Sequence, residues 1–226
     1  MTAKSPAKSN SKLGSGLKLA GALLLLLGAG WFLMRAFKSD IPKPNLKPFA
    51  SLGSLAADET AALIGKSGSI AIVSEIPDPK SPGEDPMVRS IKMVAAEVDG
   101  FKATLQLKGK FSYHPELKLV RPSQAMKTVW PPGEFLKLLQ RHPDTTTIVA
   151  FCYPPGQLTS AERSLLLSRT GKFIIVGGVV PEVKPLIDQR VAHLAVSSVV
   201  PVPQATEQTL ETPQAWVRRV YVVLKP

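Results

Sequence analysis

An α/β fold with a doubly wound, mostly parallel sheet of about five strands and helices on both faces is predicted for most of this 226-residue chain. Short β-branched runs such as IAIVSEI (Ile70 to Ile76), TTIVAF (Thr146 to Phe151) and KFIIV (Lys172 to Val176) are apolar at successive positions. A strand of that kind buries both faces. Segments of helical periodicity lie between these runs, the βαβ pattern of a covered parallel sheet. A single apolar run near the N-terminus adds a transmembrane helix ahead of the domain.

That run, Leu19 to Met34, reads LAGALLLLLGAGWFLM without a charge. Its rise is about 24 Å, short of a hydrocarbon core of about 30 Å. Lys18 and Arg35 close the gap by extending their stems to the headgroups, Leu23 and Leu26 face lipid, and Trp31 suits the interface. The helix is assigned to residues 17–37. A cleaved signal peptide shares the basic start and apolar middle, but no small-x-small site closes the run.

The tail 1–16 is Ser/Lys/Gly-rich and expected to be disordered. Residues 38–57 form a Pro-rich spacer, extended from Ser39 to Phe49, and 58–226 the soluble α/β domain. Lys/Arg counts on the two sides of the helix are equal, but the tail lacks acids, which predicts a cytoplasmic N-terminus and an extracytoplasmic domain.

Net charge is +11. Eight Lys/Arg against Asp40 alone fall within residues 1–50, an excess of seven that leaves four for the rest of the chain. Most of the positive charge therefore flanks the membrane segment and meets anionic lipid, so nucleic-acid binding is not expected. The lone Cys152 excludes an internal disulfide.

Along the domain, Asp58 to Ile64 is expected as a short helix and IAIVSEI as the first strand. Asp85-Pro86 opens a helix to Val98 with Val88, Ile91, Val94 and Ala95 as its buried stripe. Phe101 to Leu107 alternates and reads as a strand, and Leu117 to Val120 as a short extra one. A helix after Trp130-Pro131-Pro132 ends near Arg141. TTIVAF, a helix over Ser160 to Arg169, KFIIV, a helix over Pro181 to Gln189 and a strand over Val191 to Val196 follow. Thr212-Pro213 caps a last helix, although Val220 to Leu224 reads equally as strand.

From Ser69 to Val200 this succession, with TTIVAFCYPP and KFIIVGGVVPE in it, resembles one lobe of the type I periplasmic-binding-protein family. The resemblance implies strand ends that line a ligand cleft. That family's cleft lies between two lobes, and this chain has length for one.

Ligands of open parallel sheets sit at the carboxyl ends of strands. That rule nominates Ser74 and Asp78 after the first strand, Tyr153 after TTIVAF, Gly177 and Gly178 after KFIIV, and Ser197 with Ser198 after the last. Gly177-Gly178 lacks the spaced glycines of a dinucleotide fingerprint, and Gly65-Lys66-Ser67 precedes a strand where a P-loop follows one. Cys152 with His114, His142 or His193 is the one nucleophile arrangement to weigh, against the reading of Cys152 as a core residue. No hydrolase elbow or metal pattern appears, so no cofactor, metal or catalytic residue is expected.

The leading expectation is a non-catalytic membrane-anchored module, an accessory or scaffold subunit of a membrane assembly, with the bilayer and a membrane protein as partners. The alternatives are a small-ligand-binding or sensing domain with its site at the strand ends, and an enzyme using Cys152 or Asp78.

Overall fold

The computed structural model describes residues 24, 27–32, 45–77, 86–121, 130–141, 143–154, 158–199 and 211–226. It divides into two units, Met1–Pro42 and Lys43–Pro226. In the first, residues 27–32 are helical, and Leu24, Leu27, Trp31 and Phe32 are exposed. Lys18, Leu23, Leu26 and Arg35 lie outside the described residues, as do Asp78, Asp85, His142 and the tail. Among the described residues no helix is long and apolar enough to cross a membrane.

The second unit opens with helix α1, Lys47–Ile64, eleven residues before the expected start at Asp58. Pro48 does not break it, because proline is tolerated in a first turn where the backbone donors are free. Phe49, Leu52, Gly53, Ala56, Ala57 and Thr60 then recur at three- and four-residue spacing and are all buried. Lys47 to Ala57, expected in the spacer, are therefore helical.

Strand β1, Ser67–Pro77, leads to helix α2, Pro86–Lys108. The strand expected over Phe101 to Leu107 is instead the last turns of α2. Val98, Phe101 and Leu105 continue one buried helical stripe, whereas Leu107, which completes the apparent alternation, is 86% exposed. Ala95 is likewise exposed, and the inward face passes through Val94, Glu97 and Val98.

Strands β2, Lys110–Tyr113, and β3, Leu117–Arg121, come next, with β2 absent from the expectation. Helix α3, Glu134–Arg141, precedes β4, Thr147–Ala150. Helix α4, Ser160–Ser168, begins with a reciprocal capping box of Thr159 and Glu162. Strand β5, Lys172–Val179, runs into α5, Val180–Asp188, and β6, Leu194–Ser198, follows. The last segment is helix and strand in turn: α6, Pro213–Val220, capped by the Thr212 hydroxyl, then β7, Tyr221–Leu224.

Seven strands among the described residues form one sheet in the order β2-β1-β4-β5-β6-β7, parallel except for β7, with β3 also on β1. Since β4 holds one side of β1, β2 and β3 share the other. Ser67 stands opposite Lys110 but Val73 opposite Leu117, so the edge carries one extra residue around His114 to Glu116.

Successive strand residues point to opposite faces, and each face has its own core. Ile70, Ile72, Val149, Phe151, Ile174 and Val196 meet α1, α2 and α6. Ala71, Val73, Ile148, Ala150, Phe173 and Ile175 meet α3, α4 and α5. Edge-to-face pairs anchor the first face, Phe101 on Phe151 at 5.4 Å and Phe49 on Trp216 at 5.3 Å. The sheet is thus doubly wound.

Candidate functional site

The chain leaves β1 for the β2/β3 edge and then returns to β4 on the opposite side. The winding therefore reverses between β1 and β4, where an open sheet parts its loops and leaves a crevice at the carboxyl ends. A cleft of about 310 Å³ lies on the other flank of β1, between its carboxyl end, helix α2 and the start of β3. Ile76 from β1 and Val94 and Val98 from α2 form its apolar wall. Ser74, Lys102, Glu116, Asp99 and Lys118 supply its polar groups.

Three of these are bonded to one another. The Ser74 hydroxyl donates to Glu116 Oε1, and the Lys102 ammonium donates to Glu116 Oε2 at 3.2 Å. Ser74 is 4% exposed, and the ion pair is about a quarter exposed. Each carboxylate oxygen thus has a charge-assisted or hydroxyl donor, which fixes Glu116 on the cleft wall. The extra residue between β2 and β3 brings Glu116 to this position.

Of the nominated residues, Ser74 lies in this cleft. Tyr153, Gly177, Gly178 and Ser197 gather on the next strands. Trp130 Nε1 donates to the Tyr153 carbonyl at 2.8 Å, and a Cβ on Gly178 would lie 3.8 Å from the Tyr153 ring. Ser197 Oγ donates to the Gly177 carbonyl at 3.0 Å.

The glycine pair serves the backbone first. Val176 and Val196 are partners, as are Val179 and Ser198, so β5 carries one residue more than β6. The φ values of 99° at Gly177 and 70° at Gly178 absorb that bulge, in a region that disfavours a side chain.

Lys102 and Glu116 escaped the sequence reading. Lys102 fell in the supposed strand, and Glu116 in a three-residue connection after Pro115. Asp99 and Lys102, an acid and a base three residues apart, were the available hint that this segment presents polar groups at helical period.

Cys152 is 5% exposed in the core of the α3–α5 face, the position of a small apolar residue. His193 lies at the amino end of β6, where its Nδ1 accepts from the Phe173 N–H at 3.3 Å, and burial followed by the charge of Lys172 lowers its pKa. Cys152 and His193 are thus at opposite ends of the sheet. Among the described residues no group of three or more His, Cys, Asp or Glu could hold a metal.

The strand order and double winding define an open α/β domain of the flavodoxin-like or periplasmic-binding-protein-like kind. No protein-family model and no curated protein matches the chain. Similar solved structures include the XylFII molecule, 14% identical over 78% of this chain and 60% of that one, with a TM-score of 0.46. The XylFII-LytSN complex is 17% identical over 66% and 48%, with a TM-score of 0.43. AraP, an arabinose binding protein from Geobacillus stearothermophilus, is 15% identical over 66% and 45%, with a TM-score of 0.42. The likeness is one of fold alone. The chain spans about half the length of most of these structures.

Proposed function

We propose that the chain is a membrane-tethered, non-catalytic binding domain whose cleft between the carboxyl end of β1, α2 and β3 takes a small polar ligand. The observation that carries this reading is the Ser74–Glu116–Lys102 group on the wall of a cleft of about 310 Å³. An ammonium that donates, a carboxylate that accepts and an aliphatic wall suit a ligand with hydroxyl or zwitterionic groups on a short carbon skeleton. The Ser74 hydroxyl donates to the Glu116 carboxylate, but Ser74 is 4% exposed and that carboxylate also accepts from Lys102, so we read the group as an anchor for the cleft wall and not as an attacking pair.

The test is a thermal-shift screen with sugars and amino acids, followed by titration of any stabilising compound into Lys102→Met and Glu116→Gln variants. A true ligand raises Tm in the wild type, and each variant weakens it about tenfold or more, the loss of one hydrogen bond to a charged group. A compound that stabilised both variants as well as the wild type would place the site elsewhere.

The tether is supported by the uncharged run Leu19 to Met34 and by the exposed apolar side chains at Leu24, Leu27, Trp31 and Phe32. It would hold the binding domain beside other membrane proteins, as an accessory subunit requires. A reporter fused after Pro226 is expected to be active only outside the cytoplasm. Activity in the cytoplasm would reverse the assigned sidedness.

A further inference from the structure

The amino end of the sheet, opposite the cleft, gathers charge of one sign. The connections from the helices into β1, β2, β4, β5 and β6 are described at every residue but His142. They contain Lys66, Arg169 and Arg190 against Asp144 alone, and Lys110 and Lys172 open two of the strands that follow. Acids on the adjoining helices are already engaged. Asp58 and Glu59 of α1 hold Lys108 and Lys225 at 2.8 and 2.7 Å, and Asp188 of α5 holds Lys184 at 2.7 Å.

Lys110, Lys66, Lys172 and Arg190 precede or open β2, β1, β5 and β6, so the strand order spreads them in a row of about 20 Å at about 4.8 Å per strand. Lys66, Lys110 and Arg190 are exposed, and Lys172 is half-buried. Helix dipoles account for Lys108 and Arg141, which stand in last turns. They do not account for Lys110 and Lys172, which belong to strands. Arg190 sits against local preference. Its φ of 56° is the left-handed position of a Schellman turn, in which its N–H donates to the Ile187 carbonyl and the Val191 N–H to the Leu186 carbonyl, both at 2.9 Å. Glycine is the usual residue there, and an arginine held at a cost in stability points to a use for its side chain.

We propose that this end of the sheet is a docking surface for an extended acidic segment of another protein. An extended chain turns alternate side chains to one side about every 7 Å, so about six residues span the row and set three carboxylates along it. Two other polyanions fit less well. No exposed aromatic side chain lies in the row, so single-stranded nucleic acid lacks a stacking platform. For a lipid surface, the direction of α1 matters. It runs alongside α2, with Ala50 against Gly100 and Asp58 against Lys108, so its first turn is level with the cleft residues Val98 and Asp99. The preceding chain thus joins the domain at the cleft end, and the basic end is left open to another protein. The surface does not depend on what the cleft binds.

The experiment titrates a labelled peptide of alternating Glu and Ser into the full-length protein in detergent and follows anisotropy, with amine acetylation of the same samples. The peptide is expected to shield Lys66, Lys110 and Lys172 from acetylation and to leave Lys118 in the cleft reactive, with binding that weakens as salt is raised. Lys66→Glu, Lys110→Glu and Lys172→Glu together are expected to weaken the peptide roughly tenfold or more. The same reversal at Lys4, Lys8 and Lys12 should change it by less than about twofold, since those residues lie outside the surface. Arg190→Gly is expected to weaken the peptide and raise Tm, a pairing that a structural arginine would not give. Equal losses in the two triple variants would reduce the effect to net charge and overturn the proposal. Shielding of the three lysines by phosphatidylglycerol vesicles or oligothymidine, but not by the peptide, would overturn it in favour of lipid or nucleic acid. The acetylation pattern is read on the wild type, so it decides the matter even where a reversed variant fails to fold.

Discussion

Gly53→Ala is expected to destabilise the domain by about 3 kcal/mol, at the upper end of the cost of overpacking a tight interface. The new Cβ would lie 1.9 Å from the Glu97 carbonyl oxygen and 2.8 Å from the Phe101 nitrogen. Both are backbone atoms, so no rotamer change relieves the clash and the helices must part. Parting them pulls on the rest of the seam, where Thr104 donates to Ser54 at 2.9 Å and Lys108 meets Asp58. Glycine to alanine inside a helix would otherwise gain about 1 kcal/mol from propensity, so the two effects oppose one another and the clash is the larger. In a domain of this size the net loss lowers Tm by roughly 5–10 °C. Urea unfolding should show a lower midpoint with an unchanged slope; an unchanged or raised midpoint would mean that the helices have room to spare. Gly100→Ala, whose Cβ would sit 2.2 Å from the Ala50 carbonyl oxygen, is expected to act in the same direction.

Gly53 also shows why part of the fold was hidden in the sequence. Strands buried on both faces announce themselves as unbroken β-branched runs, and β1, β4 and β5 were legible for that reason. The α1–α2 seam has no such mark. Two glycines, an alanine pair and a proline resemble spacer composition until the packing partner is known, and only then does the stripe from Phe49 to Thr60 stand out. Phe101 to Leu107 was misread because Phe101 and Leu105, four apart, fit periods 2 and 3.6 equally well, and Ala103 and Leu107 tipped the balance although both face water. The site was legible in outline. A rule about carboxyl ends found Ser74, but its partners Lys102 and Glu116 lie 28 and 42 residues further on, and only the β2/β3 bulge brings Glu116 beneath it.

Glu97→Gln is expected to stabilise the domain at neutral pH and to change little in acid. A carboxyl raised by burial from 4.5 to about 8 favours the folded state most when both states are protonated. As pH rises past the lower value, the unfolded chain releases its proton while the folded one keeps it, and stability falls by about 1.4 kcal/mol per unit until the folded carboxyl ionises as well. At about pH 7 the accumulated cost is roughly 3 kcal/mol, of which relaxation around the buried group returns some. Glutamine keeps the shape and carries no ionisable proton, so its unfolding free energy should lack this slope. The two proteins should therefore unfold at similar urea concentrations near about pH 4.5 and diverge steadily above it, with the variant the more stable. Parallel curves across that range would show that the carboxyl is ionised in the folded domain, with water or a cation beside it.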